Sequence, residues 1–256
     1  MLNLTTLGCI IQTRMGSKRL PGKVMKKLDE QKTVLDYVID QTCNSKLINK
    51  IIIATTNELE DDEIVEFAKN RNLNYFRGNT KDVLDRYYQC AKQFNLQTIV
   101  RITSDCPLID PEIIDNVIKL FFSQECDYST NKLPITAPEC PQGVEVEVFS
   151  IQTLEKIWLE SKLPSEREHV TPHIYNNPEK FTIISNSDYA EICNLRYTID
   201  KSDDLKLIKI LIKKIQNRPI LTSDIISLSK NEPTLFHINR HYKRNEGYFK
   251  SLSKNS

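Results

Sequence analysis

The chain has 256 residues, with 35 Lys and Arg against 34 Asp and Glu, a formal charge of +1. Apolar residues make up 39% and charged residues 27%, a balance that excludes a disordered or membrane-spanning chain and gives no general pull toward nucleic acid. Only six glycines occur, where an average chain of this length would hold about eighteen. Three of them, Gly8, Gly16 and Gly22, lie within the first 22 residues, which marks a place where backbone must come close to something.

In chain order, Leu7 to Ile11 reads as a buried strand. Thr33 to Thr42 reads as a helix with Thr33 and Asp36 at capping-box spacing. Ile51 to Thr55 is a second buried strand, Asp61 to Asn70 a helix, Leu73 to Phe76 a third strand and Asp82 to Phe94 a helix. Ile99 to Thr103 is a fourth strand, and Asp110-Pro111-Glu112 opens a further helix with a cap and a proline at its first position. Continuous apolar strands alternating with helices predict a parallel sheet covered on both faces. After about residue 125 the rhythm changes. Val144 to Phe149 alternates apolar and acidic residues, as a half-exposed strand would, and Ser165-x-x-Glu168 has the spacing of a capping box. Phe181 to Ile184 and Asn194 to Ile199 read as strands, and Asp203 to Ile215 as a helix. Residues 1–230 form one domain on this reading, with halves meeting near 125, and 231–256 form a basic, aromatic tail docked on it. The seven cysteines are scattered without a C-x-x-C, which favours reduced thiols in a cytoplasmic protein over a zinc site or a disulfide framework.

Two segments carry chemistry. The loop Gln12-Thr13-Arg14-Met15-Gly16-Ser17-Lys18-Arg19-Leu20-Pro21-Gly22-Lys23 follows the first strand, where an α/β protein places its ligand. Its glycines let backbone approach phosphate oxygens, and its guanidinium and ammonium groups match their charge. The pattern is neither G-x-x-x-x-G-K-[ST] nor G-x-G-x-x-G. Asp105, in Thr103-Ser104-Asp105-Cys106-Pro107, falls just past the fourth strand on the same rim. A carboxylate there suits a magnesium ion that also takes phosphate oxygens.

Ile10-Ile11-Gln12-x-Arg14-Met15-Gly16-Ser17-x-Arg19-Leu20-Pro21-Gly22-Lys23 closely resembles the signature of the SpsF-like, spore-coat-polysaccharide cytidylyltransferases. These are relatives of the 3-deoxy-manno-octulosonate and acylneuraminate cytidylyltransferases. Further blocks match in order: Asp82 to Tyr87, Arg101 to Asp110, Gly143 to Phe149, Glu166 to Pro172, Leu195 to Asp200 and Asn245 to Tyr248. The resemblance implies a GT-A-like (Rossmann-like) α/β nucleotidyltransferase fold. Its mostly parallel sheet is covered by helices on both faces and joined to a small mixed substrate or dimerisation subregion. It implies the reaction CTP + acceptor → CMP-acceptor + pyrophosphate, with a small acidic acceptor, a homodimer, and neither nucleic acid nor membrane as partner.

By the same resemblance, Arg14, Ser17, Arg19 and Lys23 hold the triphosphate, and Arg14, Arg19 and Lys23 stabilise the developing charge. Ile11, Gln12, Thr13, Met15, Gly16, Asp85, Arg86, Thr103 and Ser104 complete the nucleotide site. Asp105 and Asp200 bind Mg²⁺ or Mn²⁺. Glu145, Glu147, Arg167, His169 and Arg196 are candidates for the acceptor. Thr103-Ser104 stands where relatives often have Gln and Gly, and Pro141-Gln142-Gly143 where they commonly have Pro-Asp-Gly. These departures bear on the substrate more than on the reaction. A GT-A glycosyltransferase, or a transferase using another nucleoside triphosphate, is the alternative, and the former usually carries a D-x-D at a strand end. Trp158 and the Tyr87-Tyr88 pair read as core residues.

Overall fold

The computed structural model describes residues 6–136, 139–186, 189–253 and 255. Its first half runs β1 (Leu7–Gln12), α1 (Val34–Cys43), β2 (Ile51–Thr56), α2 (Asp62–Asn70), β3 (Asn74–Gly78), α3 (Val83–Gln93), β4 (Thr98–Thr103) and α4 (Pro111–Ser123). The second half runs β5 (Tyr128–Thr130), β6 (Glu147–Ser150), α5 (Ile151–Glu160), α6 (Pro164–His169), α7 (Pro172–Tyr175), β7 (Ile183–Ser185), α8 (Ser202–Lys214), α9 (Thr222–Asn231) and α10 (Glu246–Leu252).

The strands form one seven-stranded sheet in the order β3-β2-β1-β4-β6-β5-β7. β1 to β4 are mutually parallel, β6 is antiparallel to both β4 and β5, and β5 pairs with β7 in parallel. In the parallel half β1, β2 and β4 are buried on two sides, while the edge strand β3 is partly exposed. Ile11 packs into a core with α1, α4 and α8, while the adjacent Ile10 packs into a second core with α3 and α5. That two-sided burial is why β1, β2 and β4 read as unbroken apolar runs. The capping box of α1 is present, with Thr33 Oγ1 accepting from the Asp36 amide and Asp36 Oδ2 from the Thr33 amide. Tyr87 and Tyr88 are core residues, and the Trp158 ring stacks on Tyr88 at 4.5 Å.

The antiparallel half departs from its sequence reading in three places. Val144 to Phe149 is not half-exposed. Only Glu147–Ser150 is strand, it lies inside the sheet between β4 and β5, and Glu147 is as buried as the valines beside it. Asn194 to Ile199 is not a strand, and Asn194 lies in a turn. A single bridge joins Gln142 to Arg196, and the amides of Tyr197 and Ile199 bond to the carbonyls of Gln142 and Asp105. The cap of α6 uses Glu166, whose Oε2 accepts from the Lys162 and Leu163 amides, and not the Ser165 and Glu168 pair.

Candidate active site

The parallel strands end at one rim, and the glycine loop leaves β1 there. A buried acid fastens it. Asp61, fully inaccessible, accepts from the Met15 amide at 2.7 Å through Oδ1 and from the Thr56 amide and hydroxyl through Oδ2. The loop then folds back on itself, with the amides of Ser17 and Gly22 both donating to the Met15 carbonyl. Gly22 has φ 63°, a left-handed conformation that strains other residues. Arg14, Lys18 and Arg19 are left exposed along this loop. Arg14 and Gly16 line a cavity of about 480 Å³ with Thr56, Glu58 and Thr80, from the ends of β2 and β3. A smaller apolar groove of about 240 Å³, between Val117, Leu120 and Tyr189, holds none of the candidate residues.

At the loop's far end Lys23 reaches inward. Its Nζ donates to Asp105 Oδ2 at 2.8 Å, Asp200 Oδ1 at 2.9 Å and the Ile199 carbonyl at 2.8 Å. Two carboxylates separated by 95 residues of sequence thus converge on one ammonium. Arg19 NH2 lies 2.6 Å from Asp200 Oδ1, and Arg196 NH2 lies 3.2 Å from its Oδ2. Burial alone would favour a protonated Asp200. Lys23 and then Arg19 overcome it and hold the carboxyl well below its usual range. Burial likewise opposes charge on Lys23, and Asp105 and Asp200 outweigh it, raising its pKa.

The segment carrying Asp200 is pinned from beneath by Asp204, which is fully buried at the start of α8. Its carboxylate accepts from the Asp200 and Lys201 amides, the Arg196 guanidinium and the Asn239 side chain. Gly143 lets a neighbouring segment run close by. Its φ is 122°, and a Cβ there would stand 2.8 Å from the Thr198 nitrogen.

The remaining candidates divide. Thr13 and Ser104 sit at the rim, their amides bonded to the Ala54 and Gln12 carbonyls, and Thr103 Oγ1 lies 3.3 Å from Cys106 Sγ. Asp85 faces α5 and accepts from Trp158 Nε1 at 2.9 Å. Arg86 is buried and donates to the Asn79 carbonyl. Arg167 pairs with Asp82 at the start of α3 and with the Trp158 carbonyl. Arg196 is held by Asp204 and Gln142. Glu145 accepts from the Gly143 amide and from Arg244. Glu147 lies within the sheet. It pairs with Arg101 and Lys132 and accepts from Tyr128 and Thr171. Burial would raise its pKa, but Arg101 and Lys132 reverse that and leave it well below the usual range. Arg101 also donates to Gln12 Oε1 at 2.9 Å, fixing that side chain at the rim.

Sequence reasoning missed Asp61, Asp204 and Lys132, and it read residues 231–256 as a docked tail without giving that tail a place at the site. The tail closes one side of the site. Arg244 donates to the Cys140 and Cys193 carbonyls and pairs with Glu145, Glu246 pairs with Lys201, and the Tyr248 ring meets His169 and Tyr175.

The cytidylyltransferase family model matches residues 8–231, a span that contains the glycine loop, Asp105 and Asp200. The chain belongs to the cytidylyltransferase family. This membership makes it an enzyme of the nucleotidyltransferase class and decides against the glycosyltransferase alternative. This cytidylyltransferase is 37% identical to an uncharacterized protein of Methanocaldococcus jannaschii over 92% of its own length and 95% of that protein's. It is 31% identical to the spore coat polysaccharide biosynthesis protein SpsF of Bacillus subtilis, over 88% and 94%. A solved cytidylyltransferase from Leptospira borgpetersenii shares the fold with a TM-score of 0.86 and 32% identity, covering 94% of this chain and 99% of that one. Among the described residues no helix is long and apolar enough to cross a membrane.

Proposed function

We propose that this cytidylyltransferase moves CMP from CTP to a small acidic acceptor, a sugar acid or a phosphorylated acid, with release of pyrophosphate. The product would be an activated precursor for surface polysaccharide or glycan synthesis. The part of the similar Bacillus subtilis protein in spore coat polysaccharide biosynthesis supports that destination. The observation that carries the reading is the convergence of Asp105 and Asp200 on Lys23 at the end of a loop rich in cations.

The donor set suits a divalent ion. Two carboxylates meet within hydrogen-bond reach of one point, and among the described residues no cluster of three or more acids, histidines or cysteines forms a complete metal cage. Mg²⁺ takes this kind of partial site, with one or two carboxylates and the rest from phosphate and water. Asp105 and Asp200 would hold it, and when bound it supplies charge neutralisation on the phosphates. Arg14 and Arg19 reach solvent at the rim and hold the β- and γ-phosphates. Lys23, anchored by its carboxylates, sets the distance between loop and metal ligands. The acceptor oxygen attacks the α-phosphorus in line, and pyrophosphate leaves toward the loop cations. Positioning and electrostatics supply most of the rate in such transfers.

The test presents each of the four nucleoside triphosphates with Mg²⁺ to a panel of acidic sugars and phosphorylated acids. Pyrophosphate release that requires both CTP and one acceptor class is the expected result. Turnover without preference for CTP, or release of a nucleoside diphosphate, overturns the reading.

A further inference from the structure

The charges around Asp200 balance. Three carboxylates, Asp105, Asp200 and Asp204, interlock with three cations, Lys23, Arg19 and Arg196, through contacts of 2.6 to 3.2 Å. The cluster has no net charge. Lys23 is only 12% exposed and its ammonium donates to three acceptors, its full complement. A free divalent ion approaching Asp105 and Asp200 meets two carboxylates and, just as near, Lys23 and Arg19, with Arg196 shared between Asp200 and Asp204. Attraction and repulsion nearly cancel, and the ion must still shed water. A nucleoside triphosphate changes the sum. Its several negative charges add oxygen ligands for the ion and give Arg19 and Lys23 a second anion to face.

We propose that Lys23 and Arg19 make the divalent-ion site conditional: Asp105 and Asp200 take up the ion only together with the triphosphate, because these two cations neutralise them otherwise. The proposal rests on the metal assignment above. It places the ion's entry under the control of the nucleotide, and keeps the carboxylates from collecting a metal that has no phosphate to act on. By linkage, the ion must then raise CTP affinity by the same factor as CTP raises affinity for the ion.

Mn²⁺ alone is the first probe, titrated without nucleotide and followed by the electron paramagnetic resonance signal of the free ion. The wild-type protein should bind it weakly, with Kd above about 1 mM, and Lys23→Met should bind at least about tenfold more tightly. Lys23→Arg keeps the charge and should stay weak, which separates a charge effect from a packing effect. If circular dichroism shows that Lys23→Met is unfolded, Arg19→Met replaces it, with an expected gain of about threefold because Asp200 loses one of its cations. Calorimetry should show CTP binding tightened at least about tenfold by Mg²⁺. Wild-type binding of Mn²⁺ alone as tight as in the Lys23→Met variant, or a Lys23→Arg variant that tightens equally, overturns the proposal and leaves the metal assignment standing. No Mn²⁺ binding in any variant, together with CTP affinity indifferent to Mg²⁺, overturns both.

Discussion

The molecule contains two carboxylate–cation networks in different surroundings. At the rim, Lys23 joins Asp105 and Asp200, whose side chains are 26% and 16% exposed. Inside the sheet, Arg101 and Lys132 join Glu147, which is 3% exposed and has four partners. Both are a carboxylate or two held by cations. The rim network borders solvent and can trade a partner for a ligand. The interior one is closed by β4, β5, β6 and the start of α7, and any exchange there would strand a charge. Charge pairing alone therefore does not mark a ligand site; access decides which network does chemistry and which holds the sheet in register.

The largest effect that tests this contrast is on stability. Glu147→Gln leaves Arg101 and Lys132 buried without their counter-charge, and breaking such a pair costs about 3–5 kcal/mol. Urea denaturation should read that loss. The pH dependence has a definite sign. Glu147 is held below the ordinary carboxylate value of 4.5, so its contribution is complete above that value and is lost as pH falls below it. The wild-type urea midpoint should thus fall more steeply between about pH 4.5 and 3 than that of Glu147→Gln. A variant as stable as wild type would show the interior network to be dispensable.

The rim should respond in the opposite way. Asp105→Asn should lower turnover by about 10²-fold or more, as removal of other electrostatic stabilisers does. Its urea midpoint should move little, because Lys23 keeps Asp200 and the Ile199 carbonyl as partners. Normal turnover in this variant would remove Asp105 from the machinery.

The two networks were not equally legible in the sequence. The parallel half was, because a strand buried on both faces must be apolar throughout, and the loop after β1 concentrates glycines and cations in one run. Glu147 was misread for a physical reason. Alternating acids and valines is also how a solvated strand looks, and only a buried cation on a neighbouring strand removes the difference. That cation was visible as Arg101, set inside the apolar run Ile99 to Thr103, yet nothing local says that its partner lies 46 residues on. Asn194 to Ile199 has the composition of a strand, but its backbone bonds go to Gln142 and Asp105, and pairing is decided by the fold. β5 has three residues, too few for a periodic signal, whereas β7 reads from Phe181 to Ile184 in the sequence and is shifted to Ile183–Ser185. Asp61 looks like an ordinary acid at a helix start, and its work on the Met15 amide is invisible without the loop in place.

Asp61 gives a prediction between the two extremes. Asp61→Ala leaves the buried amide and hydroxyl of Thr56 without their acceptor and frees the Met15 amide, at a cost of about 1–3 kcal/mol. It touches no candidate metal ligand, yet it loosens the loop that carries Arg14 and Arg19. CTP affinity measured by calorimetry should fall by about tenfold, more than stability alone explains, since a loop that must be ordered on binding charges that ordering to the ligand. Unchanged affinity would mean that the loop holds its shape without this tether.

The smallest effect belongs to the last part of the tail, from Arg244 through α10, beyond the buried Phe236 and the Asn239 that bonds to Asp204. Within α10 only Ser251 is buried, and Phe249 is 49% exposed, so apolar burial contributes little to docking. Arg244 is the main fastening, bonded to two carbonyls and to Glu145. Arg244→Ala should therefore release a local unit without unfolding the sheet, shifting the global urea transition by no more than about 1 kcal/mol. Limited trypsin digestion should show it instead. Cleavage after the exposed Lys243 and Lys250 should quicken, while the rest of the chain stays intact. If Arg244→Ala cost as much stability as Glu147→Gln, the tail would be part of the scaffold, and the division between a rim that exchanges partners and an interior that cannot would have to be redrawn to include it.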